Sequence, residues 1–261
     1  MRPILFQIGD MTVPSFFFMV MIGALAATFY CAHMAKKEGA DPIVLLDFGI
    51  IAIIASVIGS RLFHVVVENP GYYLEDPIRV FYFWQGGFVS IGAYLGTVIG
   101  WIIYIRKKKI DFLRYFDIAA LGTPIIIFFV RVGCTLVGCC FGKPTDFFIH
   151  LVFNNKSSVP AYYHLSGTQL HATQPYCMLN ALIMWLVLYI VYKKRQAYGY
   201  VLSAFLMYYG VSRFLIEFLR GDVDRGMWFN DMVSTGQISM VFFFAVGLAL
   251  FIYCRRKKQN G

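Results

Sequence analysis

Charged residues are scarce in this chain, and that scarcity excludes a water-soluble globular protein. Only 14% of its 261 residues are Asp, Glu, Lys or Arg, whereas 59% are hydrophobic. A soluble domain has about 25% charged and about 45–50% apolar residues. Lipid solvates the apolar surface that a protein of this size cannot bury. The composition therefore predicts an integral membrane protein.

Three sequence signals are also absent, and each absence narrows the possible functions. The six cysteines lack the paired C-x-x-C spacing of a metal site, so we expect no metal, no cofactor and no structural disulfide. No internal repeat is visible, which disfavours a transporter built from inverted repeats. A cleavable signal peptide is not evident, because the first apolar run exceeds the usual length of its core. We therefore expect the first helix to be retained.

Seven apolar segments are long enough to cross a bilayer, whose hydrocarbon core of about 30 Å requires about 20 helical residues. They are residues 13–34, 43–67, 83–105, 115–137, 173–192, 200–219 and 235–254. This pattern predicts an all-α fold class, a polytopic membrane protein with about seven transmembrane helices. We expect residues 1–261 to form a single integral membrane domain.

The basic residues indicate the orientation of these helices. A net charge of +9 would suit a nucleic-acid-binding protein, but Lys and Arg cluster at the ends of apolar runs, so we expect no nucleic acid. With the N-terminus outside, 14 of the 23 basic residues fall inside and 6 outside. The positive-inside rule then places the C-terminus in the cytoplasm. We expect the long outer segment, residues 138–172, to form a small extracytoplasmic cap.

Charged residues inside the predicted helices need an explanation, because each costs at least about 2.5–3.5 kcal/mol in a membrane. Arg213 and Glu217 are four residues apart and therefore share one helical face. One interpretation is a structural ion pair. The other is an anion site in which Arg61, Arg131 and Arg213 surround the phosphate of a lipid head group, since a planar guanidinium matches phosphate oxygens.

Small residues and one histidine add further candidates. The first part of the third predicted segment contains Gly86, Gly87, Gly92 and Gly96. Such residues favour either a helix-packing seam or a backbone that approaches a ligand. His171 stands at the outer start of the fifth predicted helix, where an imidazole exchanges protons near neutral pH and where we expect Thr173 to cap the helix.

Four sequence blocks follow one another along the chain. They are Trp-Gln-Gly-Gly at 84–87 with Gly92 and Gly96, Arg-Val-Gly-Cys through Gly-Lys-Pro-Thr at 131–145, His-Ala-Thr-Gln-Pro-Tyr at 171–176, and Tyr-Tyr-Gly through Arg-Gly-Asp at 208–222. In this order they resemble the prolipoprotein diacylglyceryl transferases of bacteria, and the resemblance covers most of the chain.

The resemblance implies a seven-helix enzyme of the bacterial cytoplasmic membrane, with its active site toward the outer leaflet. Enzymes of this family move the diacylglyceryl group of phosphatidylglycerol to the lipobox cysteine thiol of a preprolipoprotein. A thioether forms and glycerol phosphate is released, which is the first step of lipoprotein maturation. Phosphatidylglycerol and lipobox-containing preprolipoproteins are therefore the expected partners.

The resemblance also implies roles for residues of this chain. Arg131 is expected to bind the donor phosphate, and Arg213, oriented by Glu217, to stabilise charge on the leaving phosphate. The expected catalytic residues are Arg131, Arg213, His171 and Glu217. The expected substrate-binding residues are Arg131, Arg213, Arg220, Tyr209, Gly86, Gly87, Gly92 and Gly142.

The chain departs from the family pattern at several positions. Ile91 stands where the family usually has a His beside a glycine pair, and Cys134 stands where many members have an Asn. The incoming thiol needs a base, and His171 or His64 is the hypothetical replacement. Two alternatives therefore stay open: a diverged paralogue that binds lipid or uses another acceptor, and an anion transporter.

Overall fold

The computed structural model describes residues 2–8, 11–82, 87–155, 158–221, 227–228 and 233–259. Its α-helices are α1 (Ser15–Lys37), α2 (Pro42–Phe63), α3 (Pro70–Glu75), α4 (Ser90–Lys108), α5 (Phe112–Val137), α6 (Val159–Tyr162), α7 (Thr173–Lys194), α8 (Tyr200–Glu217) and α9 (Thr235–Gln259). A π-helical turn (His64–Glu68) extends α2, and a 3-10 turn (Pro77–Phe81) follows α3. The short antiparallel hairpins are β1 (Ile4–Ile8) with β2 (Met11–Pro14), β3 (His150–Val152) with β4 (Gln169–His171), and β5 (Met227–Trp228) with β6 (Val233–Ser234).

Long helices lie at all seven predicted positions, which confirms the all-α polytopic membrane fold. Among the described residues, five are long and apolar enough to span a membrane: α1, α2 with its π-helical extension, α5, α7 and α9. The other two, α4 and α8, are less apolar, because α4 ends in a basic run and α8 contains Arg213 and Glu217. Seven spans with the N-terminus outside therefore remain a prediction.

The third long helix begins later than the apolar segment suggests. α4 begins at Ser90 rather than at residue 83, and residues 83–86 lie outside the described residues. Gly87 has a φ of 78°, a left-handed conformation that an α-helix cannot contain. Phe88 and Val89 therefore belong to a loop, which periodicity alone does not distinguish from a helical turn.

The chain divides into two compact units, Met1–Cys31 with Phe116–Gly261, and Ala32–Tyr115. The expectation of a single integral membrane domain stays a prediction.

The second unit contains two turns of similar construction. A residue with positive φ ends the preceding helix, Gly39 (66°) after α1 and Lys109 (50°) after α4. Asp41 and Asp111 then accept backbone N–H groups at 2.9 and 3.1 Å and start the next helix.

Helices α2 and α4 approach each other closely through glycines. A Cβ atom on Gly59 would overlap the carbonyl oxygen of Gly92, and a Cβ atom on Gly92 would overlap that of Gly59. Gly96 has the same relation to the carbonyl oxygen of Ala55. The helix-packing interpretation is therefore confirmed for Gly92 and Gly96. A role of Gly92 in substrate binding stays a prediction.

Arg61 organises the loop that precedes α4. Its side chain is 4% exposed and donates to the carbonyl oxygens of Arg79 at 2.7 Å, Val80 at 3.0 Å and Tyr82 at 3.2 Å. Another donor points to the carbonyl oxygen of Gly87 at 3.4 Å. Backbone carbonyl oxygens therefore occupy the guanidinium N–H groups that would otherwise bind a phosphate. The expectation that Arg61 helps to surround a phosphate is therefore wrong.

In the other unit, Asp117 connects α5 to the beginning of α8. Its buried carboxylate accepts the N–H groups of Gly199 and Leu202, both at 2.9 Å, and pairs with Arg195 at 3.3 Å. Helix N-termini favour carboxylates because their first N–H groups lack partners. Asp117 lies near the inner end of a predicted helix, where a carboxylate is expected to snorkel or to cap, and it acts as an N-terminal cap for another helix, α8.

Residues 138–172 fold as the expected small cap. The β3–β4 hairpin and α6 enclose a hydrophobic cluster of Phe141, Phe153 and Leu170, which are almost fully buried. Leu151 and Tyr163 pack against this cluster. A core of its own lets the segment hold polar residues in fixed positions at one end of the bundle, although its placement outside the cytoplasm remains a prediction.

The glycine contact predicts a specific loss of stability. Gly59→Ala should lower the free energy of unfolding by about 1–3 kcal/mol, because its methyl group would overlap the Gly92 carbonyl and separate α2 from α4. Gly71→Ala is the matched control, since nothing lies within 4 Å of a Cβ there. Unfolding in detergent micelles would measure both variants. Equal stability of the two would contradict the close approach.

Candidate functional site

A group of charged side chains at the end of α8 forms the centre of the candidate site. Glu217 is 4% exposed and forms an ion pair with Arg213, one turn earlier on the same face. Arg220 also reaches this carboxylate, with Nη1 at 3.6 Å from Oε2. The predicted ion pair is therefore confirmed, and Glu217 is shared between two guanidinium groups.

The first turn of α9 completes the surroundings of Glu217. The Ser234 hydroxyl donates to Glu217 Oε1 at 3.2 Å and accepts the Gln237 N–H at 3.1 Å. The Gln237 side chain accepts the Ser234 N–H at 2.9 Å in return. This reciprocal pair is a capping box. Sequence reasoning missed Ser234, although the Ser-x-x-Gln spacing before an apolar run is a signal that indicates it.

Gly142 joins the cap to the residues that follow α8. Lys143 N–H donates to the Leu219 carbonyl at 2.9 Å, and Gly221 N–H donates to the Phe141 carbonyl at 3.0 Å. A Cβ atom on Gly142 would overlap His171, so only glycine fits here. The backbone of Gly142 therefore lies between Arg220, its bridge partner, and His171.

Arg131 lies in the last two turns of α5. The ionisable side chains around its guanidinium include those of Cys134, Cys140, Cys177 and Tyr209. Its Nε atom is buried and has no hydrogen-bond partner among the described residues. Burying such a donor without an acceptor costs about 1–3 kcal/mol or more for a charged group. This unused donor indicates a place for an anionic ligand.

His171 ends β4 and faces aromatic residues. Its ring lies 6.2 Å from that of Phe147 and 6.4 Å from that of Tyr176, measured between centroids. Nδ1 is buried without a hydrogen-bond partner among the residues that the structure describes.

The expectation that Thr173 caps α7 is wrong, because Ala172 precedes the helix and the Thr173 hydroxyl donates to the Cys140 carbonyl at 2.7 Å.

Three cysteines converge at the end of α5, Cys134 within the helix and the other two just after it. The sulfur atoms of Cys134, Cys139 and Cys140 all lie within 4.8 Å of one another. Contacts with the other two thiols, and then the positive charges of Arg131 and Arg220, lower the pKa of the Cys140 thiol, although burial opposes this shift. The C-x4-C-C spacing is not a recognised signature, so sequence reasoning gave these residues no role.

The remaining predicted residues belong to the unit Ala32–Tyr115. A Cβ atom on Gly87 would lie 2.7 Å from Arg61 Nη1 and 3.0 Å from the His64 ring. Gly86 lies outside the described residues. The His64 ring contacts the Tyr73 hydroxyl at 3.0 Å and Glu68 at 3.7 Å. The substrate-binding role of these glycines and the hypothetical role of His64 as a base both stay predictions.

The described geometry defines the class of protein. It is a polytopic membrane protein in which two partly buried arginines pair with one buried carboxylate. The cap beside them contributes a histidine and two thiols, and α5 contributes a third thiol. Guanidinium groups in a site of low dielectric constant suit phosphate esters, since they remain charged and bind two oxygens at once.

Comparison with known proteins identifies the family. The family model described as prolipoprotein diacylglyceryl transferase matches residues 3–253. A phosphatidylglycerol–prolipoprotein diacylglyceryl transferase from Clostridium tetani is 30% identical over 99% of this chain and 100% of its own length. Enzymes of the same name from Geobacter sulfurreducens and Clostridium perfringens are 29% and 28% identical, over 98% and 96% of this chain and 96% and 94% of their own. The chain belongs to the prolipoprotein diacylglyceryl transferase family, which confirms the resemblance of the sequence blocks.

The capping box predicts that the Ser234 hydroxyl contributes more to the stability of the protein than the Ser239 hydroxyl does. Ser234→Ala should lower the free energy of unfolding by about 1–3 kcal/mol, because α9 loses its cap and Glu217 loses a donor. Ser239→Ala is the matched control on the same helix, since its hydroxyl bonds to the Thr235 carbonyl of the preceding turn. Unfolding in detergent would compare them, and an equal effect would contradict a special role of Ser234.

Proposed function

We propose that this protein transfers the diacylglyceryl group of phosphatidylglycerol to the cysteine thiol of prolipoproteins. The observation that carries this proposal is the match over nearly the whole chain to relatives that are named for this reaction. The partly buried arginines add a physical reason, because the donor lipid has a phosphate in its head group. These relatives do not favour a lipid-binding paralogue or an anion transporter.

In the proposed reaction, the thiol sulfur attacks the glycerol carbon that carries the phosphate ester oxygen. A C–S bond forms, the C–O bond breaks, and the electron pair stays on the oxygen of the released glycerol phosphate. The phosphate thus changes from a diester with one negative charge to a monoester with about two. Groups that stabilise the second charge lower the barrier.

Four side chains supply that stabilisation in this proposal. They are Arg131, Arg213, Arg220 and Glu217. The glutamate neutralises one of the three positive charges, so two remain. Two positive charges match the leaving monoester better than the donor diester, and binding is therefore stronger in the transition state than in the ground state. Arg131, with its unused buried donor, is the residue that we assign to the phosphate.

Tyr209 is proposed to line the same site. It is among the ionisable neighbours of Arg131, and its ring stacks on that of Phe205 at 5.7 Å between centroids. A tyrosine held in this way presents an apolar ring to the glyceryl chain and a hydroxyl to the phosphate. Gly142 supports this site from the cap, where it allows His171 and the Arg220 backbone to approach.

The site is proposed to face the outer leaflet of the bacterial cytoplasmic membrane. The excess of basic residues on the opposite side, 14 against 6, supports that orientation. The cap then lies outside, at the level of the lipid head groups. Phosphatidylglycerol reaches such a site from the leaflet, and the lipobox cysteine of a preprolipoprotein reaches it from the same surface.

The phosphate assignment predicts a large loss of activity. Arg131→Ala should lower kcat/KM about 10²–10³-fold, because a donor to the developing charge is removed. Arg131→Lys should recover part of it, since lysine keeps the charge but not the fork. The assay mixes purified protein in lipid with phosphatidylglycerol and a lipobox peptide, and follows glycerol phosphate release and peptide mass. Arg106→Ala, in the basic end of α4, is the control. Full activity of a folded Arg131→Ala protein would contradict the assignment.

His171 is proposed as the acceptor of the thiol proton. Its buried Nδ1 has no partner among the described residues, which leaves it available to a substrate. His171→Ala should lower kcat about 10²–10⁴-fold, the usual contribution of a general base. His150→Ala is the matched control, because His150 pairs with His171 across the hairpin but bonds to the Phe147 carbonyl at 2.9 Å. Undiminished transfer by His171→Ala would remove His171 from the mechanism.

A further inference from the structure

The three thiols at the end of α5 lie almost as close together as the sulfur ligands of a metal ion. All three sulfur atoms lie within 4.8 Å of one another. In a tetrahedral zinc site with Zn–S bonds of about 2.3 Å, the sulfur atoms are about 3.8 Å apart. Shifts of about 1 Å, which side-chain rotation supplies, would bring these thiols to that geometry.

The backbone around the thiols is held in an uncommon conformation. Gly138 has a φ of 82°, and Cys140 has a φ of 58°, which non-glycine residues rarely adopt. Such a conformation costs about 1–3 kcal/mol and persists when surrounding contacts fix it, as at functional sites. This conformation places Cys139 and Cys140 on the same side as Cys134, one turn back on α5.

Two buried side chains from α7 fix this turn. The Thr173 hydroxyl donates to the Cys140 carbonyl at 2.7 Å, and the Gln174 amide donates to the Cys139 carbonyl at 2.8 Å. Thr173 is 2% exposed and Gln174 is fully buried. Hydrogen bonds of this kind orient the ligands of metal sites and contribute to metal affinity. Hydrogen bonds from a second helix, α7, therefore stabilise the conformation of this turn.

The electrostatic surroundings suit thiolates bound to a divalent cation. Three thiolates and one dication carry a net charge of −1, and the positive charges of Arg131 and Arg220 lie near Cys140. Thiolate ligands select soft or borderline ions such as zinc over magnesium or calcium. Cys134 is buried, whereas Cys139 and Cys140 are half-buried. Three protein ligands with access from one side leave a fourth position open.

We propose that Cys134, Cys139 and Cys140 bind a zinc-like cation whose fourth position takes the acceptor thiol of the prolipoprotein. The role of the ion in thiol transfer rests on the proposed function, whereas the binding of the ion does not. The acceptor sulfur binds the cation and its proton passes to His171. The bound sulfur then forms the C–S bond to the glyceryl carbon, and glycerol phosphate leaves with the electron pair of the C–O bond. The ion keeps its charge throughout and is released from the thioether product.

Cadmium is the probe for the binding step, because its bonds to thiolates absorb in the ultraviolet. Titration of the reduced, metal-free protein in detergent should give that absorption up to one equivalent per chain. Cys134→Ser and Cys139→Ser should each abolish it, and Thr173→Val should weaken cadmium binding about 10–100-fold. Cys254→Ser, a buried cysteine on α9, is the matched control and should bind normally.

Two results would overturn the binding proposal. One is the absence of thiolate absorption in the reduced wild-type protein. The other is a disulfide between two of the three cysteines in the active protein, found by peptide mass after thiol blocking. Either result would assign the convergence of the thiols to packing or to oxidation.

The transfer assay separates this proposal from the proposed function. Removal of the ion by a chelator should lower transfer at least about 10-fold, and added zinc should restore it. Full transfer by the chelated protein or by Cys139→Ser would overturn the role of the ion while the transferase function stands. Cadmium binding by a folded protein that transfers nothing, with or without zinc, would overturn the transferase function and the role in thiol transfer, and would leave the metal site itself supported.

Discussion

The buried carboxylate of Glu217 is the group on which the rest of the site depends. It pairs with Arg213, lies 3.6 Å from Arg220 and receives the Ser234 hydroxyl at 3.2 Å. A guanidinium or carboxylate at such burial costs several kcal/mol without its partner. Each of these charged groups therefore depends on the others to compensate for its loss of contact with water. One carboxylate thus fixes two arginines of the α8 end and links them to the first turn of α9.

A steric constraint acts on the same short stretch of chain. Gly142 leaves no room for a side chain between His171 and the backbone that follows α8, and a Cβ atom on Gly221 would lie 2.6 Å from the Gly142 carbonyl oxygen. The hydrophobic cluster of the cap holds the neighbouring Phe141. Charge pairing and close backbone contact therefore converge on residues 217–221, and a shift of the cap would also disturb the arginines.

The sequence predicts the parts that depend on local spacing. Apolar runs place the long helices, and the four-residue spacing of Arg213 and Glu217 predicts their ion pair. What escapes prediction depends on backbone atoms distant in sequence. Arg61 resembles a phosphate ligand until the carbonyl oxygens of its loop are located, and the convergence of the cysteines depends on the positive φ of Cys140. No local pattern of residues in the sequence indicates either the hydrogen bonds of Arg61 or the convergence of the cysteines.

The closeness of Cys140 to Arg131 and Arg220 has a consequence for the order of events in the proposed reaction. Before the donor lipid binds, the two guanidinium groups favour negative charge on the Cys140 thiol. When the phosphate arrives, it takes up the same positive charge, and the thiolates lose part of that stabilisation. A thiolate with less stabilisation is a stronger nucleophile, because nucleophilicity rises with basicity. The same loss of stabilisation applies to an acceptor thiolate held beside Cys140, so binding of the donor would raise the reactivity of that acceptor sulfur at the moment when the glyceryl carbon is in place.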